Sequence, residues 1–107
     1  MSELASQTCE ACRSYTPPMQ SGEIGELSPR IPDWEVVEDH HLRREFKFKN
    51  FREALDFINR VGELAEEQGH HPELHFGWGH VELEVWTHKI DGLTQSDFVF
   101  AAKVDRL

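Results

Sequence analysis

The stretch NFREALDFINRVGELAEEQG, residues 50–69, decides the fold of this chain of 107 residues. Its apolar side chains recur at spacings of three and four, the repeat of one helix face over about five turns. Asn50 suits the N-cap, and Glu53 is placed to complete a capping box with it. Gly69 suits the left-handed position that closes a helix. The predicted stripe consists of Phe51, Leu55, Ile58, Val61 or Gly62, and Leu64 or Ala65.

Two short segments before this helix alternate between apolar and polar residues. Residues 34–37 and 42–48 are predicted to be strands, with the polar turn 38–41 between them. In the second strand Leu42, Phe46 and Phe48 share one face, while charged residues fill the other. This period of two is typical of a half-buried antiparallel hairpin.

A second hairpin and a last helix are predicted after residue 69. Residues 73–78 and 81–86 alternate in the same way, on either side of a turn at Gly79 and His80. Thr94 is then predicted to cap the last helix, with Asp97 three positions further on. In that helix Phe98, Ala101, Ala102 and Val104 can face the sheet.

These elements predict the α+β class. Two hairpins form a four-stranded antiparallel sheet, and the helices pack on one face of it to give two layers. The order is strand, strand, helix, strand, strand, helix, after a short helix expected over 23–27. We expect one domain over 23–107, because a chain of this length suits a single core. Residues 1–22, with their prolines and serines, are expected to be an irregular lead-in.

Composition excludes several classes of function. Asp and Glu number 20 against 11 Lys and Arg, for a formal charge of −9, and nucleic-acid binding depends on basic groups. No apolar stretch approaches the length that spans a bilayer. The segment 1–7 has neither a basic start nor an apolar run, so it does not resemble a secretory signal. We therefore expect no nucleic-acid partner, no membrane association and a cytoplasmic location.

The two cysteines, Cys9 and Cys12, form a single Cys-x-x-Cys pair. A zinc site of cysteines would need a second pair, and a redox motif would need a strand-to-helix junction. We interpret the pair as thiols without a metal or redox role.

Seven histidines in so short a chain are unusual, and five of them fall between positions 70 and 88. The candidate functional groups lie at the ends of predicted elements, where a rigid scaffold presents side chains. These groups are Glu66, His70-His71-Pro72, Thr87-His88, and Gly92-Leu93-Thr94 through Asp97.

This set of motifs, at this spacing, resembles the signature of the pterin-4a-carbinolamine dehydratases. The resemblance runs from Trp34 to about Asp105 and so covers most of the chain. The segments Cys9-Glu10-Ala11-Cys12-Arg13 and Ile31-Pro32-Asp33-Trp34 resemble the bacterial branch. A His-His-Pro run alone would be a weak signal. Followed by Thr-His, Gly-Leu-Thr and Asp, it is a strong one.

The resemblance implies dehydration of a 4a-hydroxytetrahydropterin to a quinonoid dihydropterin, in support of pterin recycling after aromatic amino-acid hydroxylation. One group must take the N5 proton while another protonates the departing hydroxyl. Imidazole, with an unperturbed pKa of about 6.5, exists in both forms near neutrality. The resemblance assigns His70, His71 and His88 to catalysis. Our hypothesis is that His70 and His88 form the acid–base pair and that His71 binds and orients the substrate. We expect no metal and no organic cofactor.

Four residues are predicted to support or bind the substrate by the same resemblance: Glu66, Pro72, Asp97 and Trp34. Each also has a plain structural interpretation. Asp97 fits a helix cap, Glu66 fits a solvated helix face, and Trp34 and Trp86 fit core packing. Trp34, which matches a family tryptophan, is the better candidate for lining a pterin pocket. His40, His41, His75 and His80 are interpreted as turn or surface residues.

Three other interpretations stay open. A metal-binding protein could use His71, His75, His80 and His88, although the helical His-x-x-x-His pattern is absent. A non-catalytic dimerisation or regulatory module is a second, since some animal members of the family partner a homeodomain transcription factor. A relative acting in molybdopterin metabolism is a third. By kinship we also expect a homodimer or homotetramer.

Overall fold

The computed structural model describes residues 4–6 and 18–107 and confirms the α+β class. The helices are α1 (Ser21–Leu27), α2 (Phe51–Gln68) and α3 (Gln95–Val104). The strands are β1 (Glu35–Val37), β2 (His41–Lys47), β3 (Glu73–Gly77) and β4 (His80–Val85). Short 3₁₀ turns lie at Leu4–Ser6, Ser28–Arg30 and His88–Ile90. The cysteine pair and most of the predicted lead-in over 1–22 lie outside the described residues, so those predictions stay predictions.

The two predicted hairpins form one antiparallel sheet with the strand order β1-β2-β4-β3. The central pair joins β2 to β4, with Leu42 opposite Val85 and Phe46 opposite Val81. The second hairpin turns at Trp78 and Gly79, so His80 already belongs to β4 and the predicted turn is one residue late. The sheet therefore has β1 and β3 at its edges and β4 in its interior.

One face of the sheet carries the core. Leu42, Val81, Leu83 and Val85 are fully buried there, and they share the core with residues of α2 and α3. The helices thus pack on one face, as predicted, and the other face stays open. On that open face Arg43 Nε donates to Glu82 Oε2 at 3.0 Å. This hydrogen bond holds the pKa of Glu82 below its usual range and raises the pKa of Arg43.

The helix α2 begins and ends where predicted but turns a slightly different face to the core. The Glu53 carboxylate accepts from Lys49 N at 3.0 Å, one residue before the partner that the predicted capping box requires. Asn50 Oδ1 accepts from Glu53 N at 2.9 Å, and Gly69 adopts the left-handed conformation at φ 63°. The buried residues are Ala54, Phe57, Val61 and Ala65. Phe51, predicted to lie in the stripe, is 45% exposed and stacks on Phe76 of β3 instead. The buried positions repeat at spacings of three and four, so they form one face, turned by about one residue from the predicted stripe.

The first and last helices also follow local signals. The helix α1 begins two residues before the predicted start, because Gln20 N donates to the Glu23 side chain at 3.1 Å and so caps an earlier turn. Thr94 caps α3, as predicted, and its backbone N–H donates to Asp97 Oδ2. Among the described residues, none of the helices is both long and apolar enough to cross a membrane. Cytoplasmic location and oligomeric state stay predictions.

Gly69→Ala is expected to lower the free energy of unfolding by about 1 kcal/mol, because an L-residue is strained in the left-handed region. A Cβ at this position would meet no atom within 4 Å, so the strain comes from the backbone alone. Gly62, inside α2, also has open space around its missing Cβ. Gly62→Ala should therefore raise stability by about 0.5–1 kcal/mol. Urea denaturation measures the free energy of unfolding of each variant. Changes of the same sign in the two variants would contradict this prediction.

Candidate active site

The predicted histidines meet at one end of the sheet, where α2 ends, β4 ends and α3 begins. Gly69 closes α2 and delivers His70 and His71 directly after it. His88 follows β4 in a short loop, which backbone hydrogen bonds between Thr87 and Gly92 close at 2.9 and 3.4 Å. A pocket of about 230 Å³ opens between these segments. It is lined by Gly69, His70, His71, Trp86, His88 and Lys89.

His70 lies at the buried base of the pocket and is bonded to a carboxylate. Its ring is 3% exposed, and its Nε2 lies 2.6 Å from Oδ1 of Asp97, which is fully buried. The other oxygen of Asp97 accepts from Thr87 Oγ1 and from Thr94 N, both at 2.9 Å. Because the carboxylate is an acceptor in each contact, it places a hydrogen on Nε2 of His70 and fixes the ring.

The threonines complete this buried network. Thr87 Oγ1 and Thr94 Oγ1 lie 2.9 Å apart, and both residues are essentially unexposed. No buried side-chain nitrogen or oxygen among the described residues is without a hydrogen-bond partner. Asp97 is thus both the helix cap that the sequence predicts and a partner of His70. The sequence predicts Thr94 as a helix cap and Thr87 as part of a motif, but the hydrogen bond between their buried hydroxyls has no local signal.

His71 and His88 occupy the open side of the pocket with different partners. His71 Nε2 lies 2.6 Å from Glu66 Oε2, and this pair is exposed to solvent. His88 is exposed as well, and its ring lies tilted against the indole of Trp86 at a centroid distance of 4.5 Å. Glu66 therefore contacts the site through His71 and does not itself line the pocket. Pro72 leads from the histidine pair into β3 without lining the pocket.

The structure does not bring Trp34 to this pocket. Its ring is 4% exposed in the core, packs edge-on against Phe46, and donates from Nε1 to Asp105 Oδ1 at 2.9 Å. Asp105 follows α3 and lies about 12 Å along the helix axis from Asp97. The tryptophan at the pocket is Trp86, whose expected role was core packing.

The histidines of the predicted metal alternative are not gathered in one place. His71 and His88 line the pocket, whereas His75 belongs to β3 and His80 begins β4. Within the described ranges, no group of three or more histidine, cysteine, aspartate or glutamate side chains is arranged to hold a metal ion.

The fold and this pocket define a small α+β protein with a histidine-lined site at the end of a central strand. The family model for the pterin 4 alpha carbinolamine dehydratases matches residues 17–107. A protein of Rubrobacter xylanophilus provisionally named pterin-4-alpha-carbinolamine dehydratase is 65% identical over the whole of both chains. A protein of Alkaliphilus metalliredigens with the same provisional name is 54% identical, over 99% of this chain and 96% of its own.

Solved structures agree with these relatives. A transcriptional coactivator/pterin dehydratase from Brucella melitensis superposes with a TM-score of 0.78 at 29% identity, over 83% of this chain and 96% of that one. A pterin dehydratase-like protein identified as a RuBisCO assembly factor gives a TM-score of 0.60 at 25% identity, over 69% and 87%. The chain belongs to the pterin 4 alpha carbinolamine dehydratase family. It is an enzyme of that family, a hydro-lyase.

Proposed function

We propose that this enzyme dehydrates a 4a-hydroxytetrahydropterin to a quinonoid dihydropterin by histidine acid–base catalysis, within pterin recycling after aromatic amino-acid hydroxylation. The observation that carries the proposal is the meeting of His70, His71 and His88 at one pocket. The pocket joins a buried imidazole to two exposed ones. It therefore offers proton-exchanging groups at its base and at its mouth.

The reaction needs a proton taken and a proton given. A base removes the N5 proton, the electron pair forms the new double bond to C4a, and an acid protonates the leaving hydroxyl as water. General acid–base catalysis by positioned imidazoles suits both transfers. In our proposal His70 and His88 perform them. Asp97 holds Nε2 of His70 and so keeps this ring in one orientation at the pocket.

His71 is proposed to bind and orient the pterin. It is exposed, and Glu66 holds its Nε2 from the side of α2. A polar ring at the mouth of the pocket can donate or accept a hydrogen bond to the pterin without entering the proton transfers. Trp34 lies in the core, so the proposed binding set consists of His71, Glu66 and the walls of the pocket.

His71→Ala is expected to raise KM for the 4a-hydroxytetrahydropterin about tenfold, the worth of one hydrogen bond to a substrate, with little change in kcat. Stopped-flow measurement of dehydration, corrected for the spontaneous reaction, gives both constants. His75→Ala is the matched control, because His75 is exposed on β3 and does not line the pocket.

The same assay tests the proposed function itself. A wild-type rate no faster than the spontaneous dehydration would contradict it. A fall in kcat equal to that of His70→Ala and His88→Ala variants would instead contradict the binding role of His71. Elemental analysis of the purified protein tests the metal alternative, which stoichiometric zinc or nickel would favour.

A further inference from the structure

The three histidines of the pocket differ in what holds their rings. Asp97 holds His70 and Glu66 holds His71, each through a hydrogen bond of 2.6 Å. Among the described residues, the side chain of His88 shows one interaction, which is its ring contact with Trp86. An exposed histidine has a broad second side-chain torsion, so its ring needs a neighbour to keep one orientation.

Trp86 reaches His88 because of the alternation along β4. Val85 points into the core and is fully buried, so Trp86, the next residue, turns to the open face of the sheet. The chain then bends at Thr87, which returns to the buried side and bonds Asp97. His88 emerges on the same side as Trp86. The two rings lie at an angle of 33° with a centroid separation of 4.5 Å.

The indole of Trp86 is also in ring contact with two further imidazoles. The rings of His40 and His41 lie 5.4 and 5.7 Å from it. His40 Nε2 lies 2.8 Å from an oxygen of Asp91, and His41 Nε2 lies 3.4 Å from an oxygen of Glu84. Trp86 is therefore in contact with two imidazoles that are themselves paired with carboxylates.

His40 and His41 also contact each other. The Nδ1 atoms of His40 and His41 lie 3.1 Å apart, so one hydrogen between them completes the pair. Asp91 ends the 3₁₀ turn His88–Ile90. The loop that carries His88 is thus linked to the turn of the first hairpin through the contact of Asp91 with His40.

Resting on the proposed function, we propose that Trp86 is a positioning residue that fixes the ring of His88 in the pocket and thereby aligns it for proton transfer. The contact is between two tilted aromatic rings, so a smaller aromatic residue should replace it in part and an aliphatic residue should not. If the ring of His88 is misplaced, kcat falls, because proton transfer requires the donor and acceptor to meet at hydrogen-bond distance.

The test compares Trp86→Leu and Trp86→Phe with the wild type. We expect Trp86→Leu to lower kcat about tenfold, with a smaller change in KM, and Trp86→Phe to recover much of the loss. In proton NMR spectra, the ring signals of His88, assigned by their loss in His88→Ala, should move downfield in Trp86→Leu because the shielding indole is gone. Trp78→Leu is the matched control, since Trp78 is 70% exposed at the hairpin turn beyond the opposite end of β4.

The outcomes separate the two proposals. Unchanged His88 signals in Trp86→Leu would overturn the positioning role, and so would shifted signals with an unchanged kcat. An equal loss of kcat in Trp78→Leu would also overturn it, because the loss would then follow from removing any tryptophan. If the wild type shows no dehydration above the spontaneous rate, the proposed function fails, while the His88 signals still decide whether Trp86 fixes the ring.

Discussion

His88→Ala is expected to lower kcat for 4a-hydroxytetrahydropterin dehydration by about 10²-fold or more, the usual worth of a general acid or base. His88 is exposed at the mouth of the pocket and lies outside the core. Its removal should therefore leave the free energy of unfolding nearly unchanged. KM should change little, because in our proposal His71 carries the binding. Stopped-flow kinetics together with urea denaturation would separate the chemical loss from any loss of structure.

His80→Ala is a suitable control for this variant. His80 is also an exposed histidine of β4, but it begins the strand, whereas His88 follows its end. The control should keep the wild-type kcat. A His88→Ala variant that kept kcat and lost only affinity would reverse the roles proposed for His71 and His88.

Asp97→Ala is expected to have the largest effect on stability, about 3–5 kcal/mol of unfolding free energy, the usual cost of removing one member of a buried, bonded pair. The carboxylate is fully buried and accepts hydrogen bonds from His70, Thr87 and the backbone of Thr94. Alanine would leave all three donors without this partner inside the core. It would also remove the side chain that caps α3 from its third residue.

Asp97→Asn separates the structural role from the catalytic one. The amide has nearly the same shape and can still accept from the threonine side of the network. Its NH₂ group cannot accept from Nε2 of His70, so the hydrogen of that ring is displaced to the other nitrogen. We expect this variant to retain more stability than Asp97→Ala, while kcat falls about 10²-fold, because the His70 ring then holds the wrong tautomer. Equal stability of wild type, Asn and Ala variants would contradict the network.

The elements of the fold could be predicted because their signals are local. The cap at Asn50, the left-handed Gly69 and the capping box of Thr94 with Asp97 each depend on residues within a few positions. The alternation in β2 and β4 was equally clear. The face of α2 was predicted less well, because the exposure of Phe51 depends on its contact with Phe76, which lies on another element.

The candidate site was predicted in part. The spacing of the histidine motifs indicated the family, and the structure brings His70, His71 and His88 to one pocket. The choice between the two tryptophans was not decided by the sequence. Trp34 lies in the core beside Asp105. Trp86 directly follows β4, an interior strand, and its side chain lines the pocket at the end of that strand.

By itself the sequence determined the helices and strands, the two-layer class and the family, because periodicity, capping and motif spacing act over short distances along the chain. Only the tertiary structure decided that β2 pairs with β4, that Asp97 bonds a histidine 27 positions away, and that Trp86 contacts both His88 and the pair His40 and His41. Those contacts result from the burial of whole faces against one another. No local pattern records which distant side chains such burial brings together.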